Sequence, residues 1–233
     1  MKLLDKLRII KRKLNSRKTS FSFGGVDLLI NYIFKDVKKG MYLDVGCQHP
    51  ISNNNTYLLY KSGWRGMNID LDQRNIDLFN LDRPHDININ SAISNQNEER
   101  NLFYFHKGSP INTLDEEISE INKNKIQNIK KIKTQTLNFY LKKFNFNKID
   151  FLSIDVEGYE YKVLESINLS LYKPKIICVE YLDKNLKKLE FKNNILENVT
   201  KSDLYNLLIN NNYHLINWNH ADLLFTHKDF RDN

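Results

Sequence analysis

The chain has 233 residues, 41% hydrophobic and 27% charged, which suits one sizeable globular core and excludes a disordered chain. Cys47 and Cys178 are the only cysteines, so a disulfide framework and a zinc-finger spacing are both excluded, and a reducing, cytoplasmic setting is expected. The net charge of +7 is misleading, because residues 1–18 hold eight basic side chains against Asp5 while the rest balances 27 basic with 27 acidic residues. A neutral body argues against a nucleic-acid groove. No apolar run is long enough to span a bilayer, and no secretory leader is recognisable.

Leu3, Leu4, Leu7, Ile10 and Leu14 recur at helical spacing with basic residues on the other face. Such a stripe would pack on its own domain or on a second subunit, or lie on an anionic membrane surface as a peripheral contact. Ser16–Gly25 reads as a linker, so residues 1–25 are separated from a single domain over 26–233. Val26–Phe34 resumes helical periodicity and is expected to cover one edge of a sheet. Met41–Val45 is a short apolar strand entering a loop at Gly46. A helix over Asn55–Ser62, a turn with Trp64 and a second strand over Met67–Asp70 follow. Arg74–Leu81 is helical, Asp86–Ile93 alternates as a third strand would, and Asn101–Phe105 is a further strand.

Gly108–Lys133 is polar, with acids first and lysines later, and Ile118, Ile121, Ile129 and Ile132 hint at helical packing. A solvated surface insertion over 108–133 is the expectation, a lid the alternative. Thr136–Phe144 and Tyr159–Ile167 are helices on either side of a buried strand, and Lys175–Glu180 is another strand ending on an acid. After a polar segment come a helix over Ser202–Ile209, with Ser202 as N-cap, and a terminal hairpin of Tyr213–Trp218 and Asp222–Thr226. Strands alternating with helices imply an α/β doubly wound sheet, mostly parallel, with one reversed edge strand.

The stretch that organises these elements is KIDFLSIDVEGYEY, residues 148–161. Ile149, Phe151, Leu152 and Ile154 read as a strand buried on both faces, and the chain then turns polar at Asp155, Glu157 and Glu160. Carboxylates at the carboxyl end of such a strand are costly unless they border a site. The first strand's loop, LDVGCQHP, has Gln48, His49 and Pro50 where a dinucleotide fingerprint needs small residues. Yet Asp70, 24 residues after Gly46, is placed to accept a ribose diol. Ribose recognition without pyrophosphate recognition suits S-adenosylmethionine.

DVGCQHP, SNNNTYLLYKSGWRGMNIDLD, TLNFYL and IDFLSIDVEGYEYKVLE together resemble the FkbM-type S-adenosylmethionine-dependent methyltransferases over roughly residues 40–182. The resemblance implies the class I methyltransferase (Rossmann-like) fold, seven strands with the last antiparallel, and O-methylation, often of sugars in polysaccharide or glycolipid pathways. The chain departs from the family's Ala-Asn-x-Gly at Cys47-Gln48-His49-Pro50. Carried over by position, the resemblance puts Asp44, Gly46 and Cys47 at the methionine end of the cofactor. It puts Asp70 on the ribose, Ser91 and Ala92 near the adenine, and Asp155 facing the sulfonium and substrate.

A sugar hydroxyl is a poor nucleophile and benefits from a base, for which Asp155 ranks first, Glu157 second and His49 third. Paired acids also suit Mg²⁺, which takes oxygen ligands and polarises a diol. The competing structural reading is that Glu157 or Glu160 caps the following helix. Cys47 with His49 is too small a donor set for a metal, Cys178 reads as core, and Glu180 ends a strand on the ligand-binding edge. Two other functions fit parts of the sequence: a nicotinamide-dependent oxidoreductase, which the missing glycines oppose, and a non-catalytic module recruited through its basic N-terminal helix. The expected partner is a sugar or glycan, with no nucleic acid.

Overall fold

The computed structural model describes residues 2–16, 18–182 and 195–231. In these, the strands are β1 (Met41–Val45), β2 (Arg65–Asp70), β3 (Ile87–Asn90), β4 (Ala92–Ile93), β5 (Glu99–Tyr104), β6 (Asn128–Gln135), β7 (Phe151–Ile154), β8 (Ile176–Glu180), β9 (Tyr213–Asn219) and β10 (Asp222–His227). The first helices are α1 (Lys2–Asn15), α2 (Val26–Ile33), α3 (Tyr57–Lys61), α4 (Gln73–Asp82) and α5 (Glu116–Ile121). They are followed by α6 (Leu137–Lys143), α7 (Glu160–Glu165), α8 (Leu169–Tyr172), α9 (Leu196–Thr200), α10 (Asp203–Asn210) and α11 (Lys228–Arg231). Most of the polar stretch after Glu180 falls outside the described residues.

Seven strands form one sheet in the order β3-β2-β1-β7-β8-β10-β9, parallel except for β10. This is the class I methyltransferase arrangement. The order reverses at β1, which pairs with β2 on one side and β7 on the other, so the crevice expected of a doubly wound sheet opens beyond β1 and β7. The reversed strand is not at the edge: β10 is inserted between β8 and β9, and β9 forms the border. The hairpin turns tightly through His220 and Ala221, between the paired Asn219 and Asp222, with His220 in the left-handed region.

One face of the sheet is covered by Leu137, Leu141, Val163, Leu164, Leu204 and Leu208, all buried with Leu43, Leu152 and Ile177. On the other, Val26, Ile30 and Phe34 of the second helical segment meet Tyr42, Trp64, Phe151, Cys178 and Leu224. α2 therefore covers the centre of a face rather than an edge. It does so because Val26, Ile30 and Phe34 line one side of its helix and are all buried.

Segment 86–93 splits after Asn90: Ile87–Asn90 joins the main sheet, whereas Ala92–Ile93 pairs with β6 in a separate three-stranded sheet, β4-β6-β5. The 108–133 segment is not a solvated insertion. Its later half forms β6, whose Lys130, Lys131 and Lys133 are exposed while the strand hydrogen-bonds antiparallel to β5. Its earlier half folds back against the carboxyl edge of the sheet.

Residues 18–25 are docked by a buried carboxylate. Asp27 accepts hydrogen bonds from Ser20 Oγ (2.6 Å), Phe21 N (2.6 Å) and Ser22 Oγ (2.9 Å). The expected packing of the α1 stripe on its own domain is not found: Leu7, Ile10 and Leu14 are 54%, 53% and 59% exposed.

Candidate active site

Register brings the strand ends into line. Val45 is level with Ile69 of β2 and Ile154 of β7, and Ile154 with Val179 of β8. The next residues along this edge are Gly46, Asp70, Asp155 and Glu180. The antiparallel β10 contributes Asp222, directly opposite Glu180.

Gly46 turns the chain with φ near 79°, and a methyl group built on it would overlap the Asp155 carbonyl oxygen. Its amide donates to Ile69 O at 2.8 Å. The same loop continues through Gln48, also left-handed, whose amide donates to Asp70 Oδ2 at 2.9 Å. Asp72 N donates to Asp70 Oδ1 at 2.8 Å. Two backbone amides and the Asn75 side chain hold the Asp70 carboxylate, which keeps acceptor capacity for a further donor. Burial nevertheless pushes its pKa up to about 6.

A cavity beyond the strand ends is lined by Gly46, Gln48, Asp70, Ser91, Ala92 and Asp155, with Glu157 and Tyr159 at its acidic end. Its remaining wall comes from the 108–115 loop, through Ser109, Pro110, Asn112 and Leu114. That loop is pinned at both ends: Gly108 N donates to Asp72 Oδ2 at 2.6 Å, and Thr113 Oγ1 to the Glu157 carbonyl at 2.8 Å. Ser109 Oγ is buried and has no hydrogen-bond partner. Sequence reading missed Ser109, Asn112 and Gln48 as lining residues; a small hydroxyl before Pro110 in a Gly-led loop was the available signal.

The acidic end gathers side chains from three strands. One carboxylate oxygen each of Asp155, Glu157 and Glu180 lies within 4.8 Å of the others. Glu157 takes φ near 56°, a left-handed conformation uncommon for a non-glycine residue and characteristic of functional turns. Glu160 is buried, and its Oε1 accepts from Val156 N at 3.0 Å and Gly158 N at 3.1 Å. Glu160 stands in the first turn of α7, but its carboxylate ties the turn before the helix rather than capping it, and α7 has no side-chain cap hydrogen bond.

Asp155 is reached by solvent but sits in a bowl of protein. Desolvation and the charge of Asp44 push it up to about 6, against a hydrogen bond from Glu180. Desolvation, Asp155 and Glu160 push Glu157 up to about 8. Glu180 is raised well above the usual carboxylate range, by burial and then Asp155, and Asp222 rises to about 7 for the same two reasons. The oxygen set suits Mg²⁺ by donor type, but shared protons relieve the same repulsion.

Three sequence candidates lie elsewhere. Asp44 is two residues deeper than the rim, level with Asn68 and Ser153, buried, and accepts from Thr56 Oγ1 (2.7 Å) and Asn54 Nδ2 (3.1 Å) beside Arg83. Cys47 is packed with Ile76 and Phe79 behind the loop. His49 lines a neighbouring depression with Arg74, Leu78 and His106 rather than the cavity holding the acids. Its Nδ1 accepts from Ile51 N (3.1 Å) and Ser52 N (3.0 Å), which occupies the nitrogen that a base would use.

A protein-family model described as the methyltransferase FkbM domain matches residues 44–215. A TehB-like SAM-dependent methyltransferase from Corynebacterium glutamicum is structurally similar at a TM-score of 0.44, with 12% identity and 96% of each chain covered, a superposition too loose to bear on activity. No curated protein sequence is similar to this chain.

Proposed function

Because the chain belongs to the FkbM methyltransferase family, and so is an S-adenosylmethionine-dependent methyltransferase, we propose that it methylates a hydroxyl of a neutral sugar or glycan. The observation that carries this reading is the carboxylate rim of Asp155, Glu157, Glu180 and Asp222 at the end of the cavity opposite Ser91 and Ala92. The residues fit the cofactor. Gly46 lines the cavity without a side chain, Asp70 keeps acceptor capacity for a ribose hydroxyl, and Ser109 Oγ lacks a partner inside the wall. Bound there, S-adenosylmethionine supplies an electrophilic methyl group on a sulfonium.

The rim selects the acceptor by charge. Phosphate or carboxylate acceptors are repelled, and an amine held by carboxylates stays protonated and non-nucleophilic. A polyol instead donates hydrogen bonds to ionised acids and accepts them from protonated ones. Asp155 has the lowest pKa of the group, so near neutrality it is the ionised member and takes the hydroxyl proton as the new carbon–oxygen bond forms. Glu157, raised to about 8, stays protonated and donates to a neighbouring acceptor oxygen. Positioning supplies much of the remaining acceleration in an in-line displacement.

The test is transfer of labelled methyl from S-adenosylmethionine to a panel of neutral sugars, sugar acids, sugar phosphates and amines. Methyl ethers on neutral sugars are expected. Labelling confined to amines or anionic acceptors would overturn the acceptor class, and absence of cofactor binding by calorimetry would overturn the site.

A further inference from the structure

We propose that residues 1–18 anchor the protein to an anionic lipid surface and hold the mouth of the site beside it. The first observation is the unpartnered stripe of α1: Leu7, Ile10 and Leu14 are each more than half exposed and touch no part of the domain's cores. The second is charge. Lys6 and Lys13 flank the stripe on one side and Lys11 on the other, and Arg8 and Arg12 lie behind it. The lone acid, Asp5, is paired with Arg8 at 3.7 Å.

This pattern suits a helix lying in a bilayer interface, with leucine and isoleucine sunk below the headgroups and lysine stems reaching up to the phosphates. A second copy of the chain is a poor occupant. The spacing Leu7-Ile10-Leu14 is an a-d-a seam little longer than one heptad, and Lys6, Lys11 and Lys13 would occupy its flanking positions and repel their counterparts across a symmetric pair.

The root of the arm fixes the orientation. Asn54, in the loop after β1, donates its amide to Phe21 O at 3.0 Å. Asn219 Nδ2 donates to Gly24 O at 2.7 Å, and the Phe23 ring meets His220 edge-on at 5.0 Å. Asn219 ends β9 opposite Asp222, which is level with Glu180, and His220 opens the turn between them. The arm therefore leaves from the edge of the sheet that carries the acids, and a lipid surface gripped by α1 lies beside the mouth of the site. No helix among the described residues is long and apolar enough to cross a membrane, so the attachment is peripheral.

The experiment is co-sedimentation of the full chain with phosphatidylcholine vesicles, with or without about 30% phosphatidylglycerol, in low salt; roughly tenfold more protein should pellet with the anionic vesicles. Raising salt past the point where the screening length falls to about 3 Å should release it. The variant K6E/K11E/K13E, and separately Ile10→Asp, should reduce sedimentation to the neutral-vesicle level with the melting temperature unchanged, because α1 packs on no core. Three outcomes overturn the proposal: no preference for anionic vesicles, sedimentation untouched by the triple substitution, or a dimer that dissociates on Ile10→Asp while vesicles are ignored. None of these readouts depends on methyl transfer.

Discussion

Gly46 and Asp155 meet backbone to backbone: the α-carbon of the glycine faces the aspartate carbonyl with no room for a methyl group between them. That contact closes the gap between the loop after β1 and the turn after β7, and so sets the distance between the cofactor end and the acidic end of the cavity. Gly46→Ala should lose about 1–2 kcal/mol from its left-handed backbone alone, with the steric overlap added. The measurements are a urea melt and S-adenosylmethionine calorimetry. We expect a lower midpoint and at least a tenfold weaker cofactor; wild-type affinity would show that the contact yields without consequence.

The clustered acids make stability depend on pH in a definite direction. Asp70 and Asp155 titrate near 6, Asp222 and Glu160 near 7 and Glu157 near 8, all above their unfolded values. Between the ordinary carboxylate range and about 8, the folded chain holds protons that the unfolded chain has released. Their contribution is complete on the acid side of that window and is lost as pH rises through 6 to 8. The melting temperature of the protein without cofactor should therefore fall between pH 5 and pH 8.5, and Glu157→Gln should flatten the upper part of the slope. Asp150, whose pKa is lowered despite its burial by hydrogen bonds from Lys175, Met41 N and Lys148, acts in the opposite sense only below this window.

Much of this arrangement was legible from local signals. Buried parallel strands are short apolar runs, so β1, β2, β7 and β8 declare themselves, and Asp70, Asp155 and Glu180 follow as the residues where each run ends. β6 was not legible. Ile129 and Ile132 stand three apart, a helical spacing, and both faces of the strand are largely polar, so only its pairing with β5 decides its state. Asp222 was likewise hidden, because nothing nearby says that its strand inserts beside β8. Asp44 follows the same end-of-strand logic as Asp70, but it pairs with Asn68 and Ser153 inside the sheet, short of the rim, and is buried against Thr56 and Asn54.

Glu160 tests the difference between an acid that holds the fold and one that does chemistry. Its Oε1 satisfies the amides of Val156 and Gly158, the turn that presents Glu157. Glu160→Ala leaves two donors short of a partner and should cost about 2–4 kcal/mol. Glu160→Gln keeps a carbonyl acceptor and should melt close to the wild type with most of its turnover. If the two variants behave alike, the charge of Glu160 matters more than its hydrogen bonds.

The cofactor end separates from the acidic end by mutation. Asp70→Asn keeps the size of the side chain but removes acceptor capacity, and calorimetry should show S-adenosylmethionine weakened by roughly 10- to 100-fold. Ser109→Ala removes the unpartnered hydroxyl and should weaken binding by less, or leave the free protein slightly more stable, because a buried orphan is deleted. Equal affinity in both variants would place the cofactor away from this wall.

The acidic end should show itself in the pH–rate profile. With Asp155 ionised and Glu157 protonated in the working state, kcat/KM rises through about 6 and falls through about 8. That bell belongs to the coupled pair, so its limbs are macroscopic values. Glu157→Gln keeps a donor amide that cannot ionise, and should abolish the alkaline limb while retaining measurable turnover. Asp155→Asn removes the base and should lower kcat by about 10²- to 10⁴-fold with cofactor affinity little changed. His49→Gln should leave both limbs in place, since the basic nitrogen of His49 is engaged by Ile51 and Ser52. A bell that survives Asp155→Asn and vanishes in His49→Gln would transfer the base to the histidine.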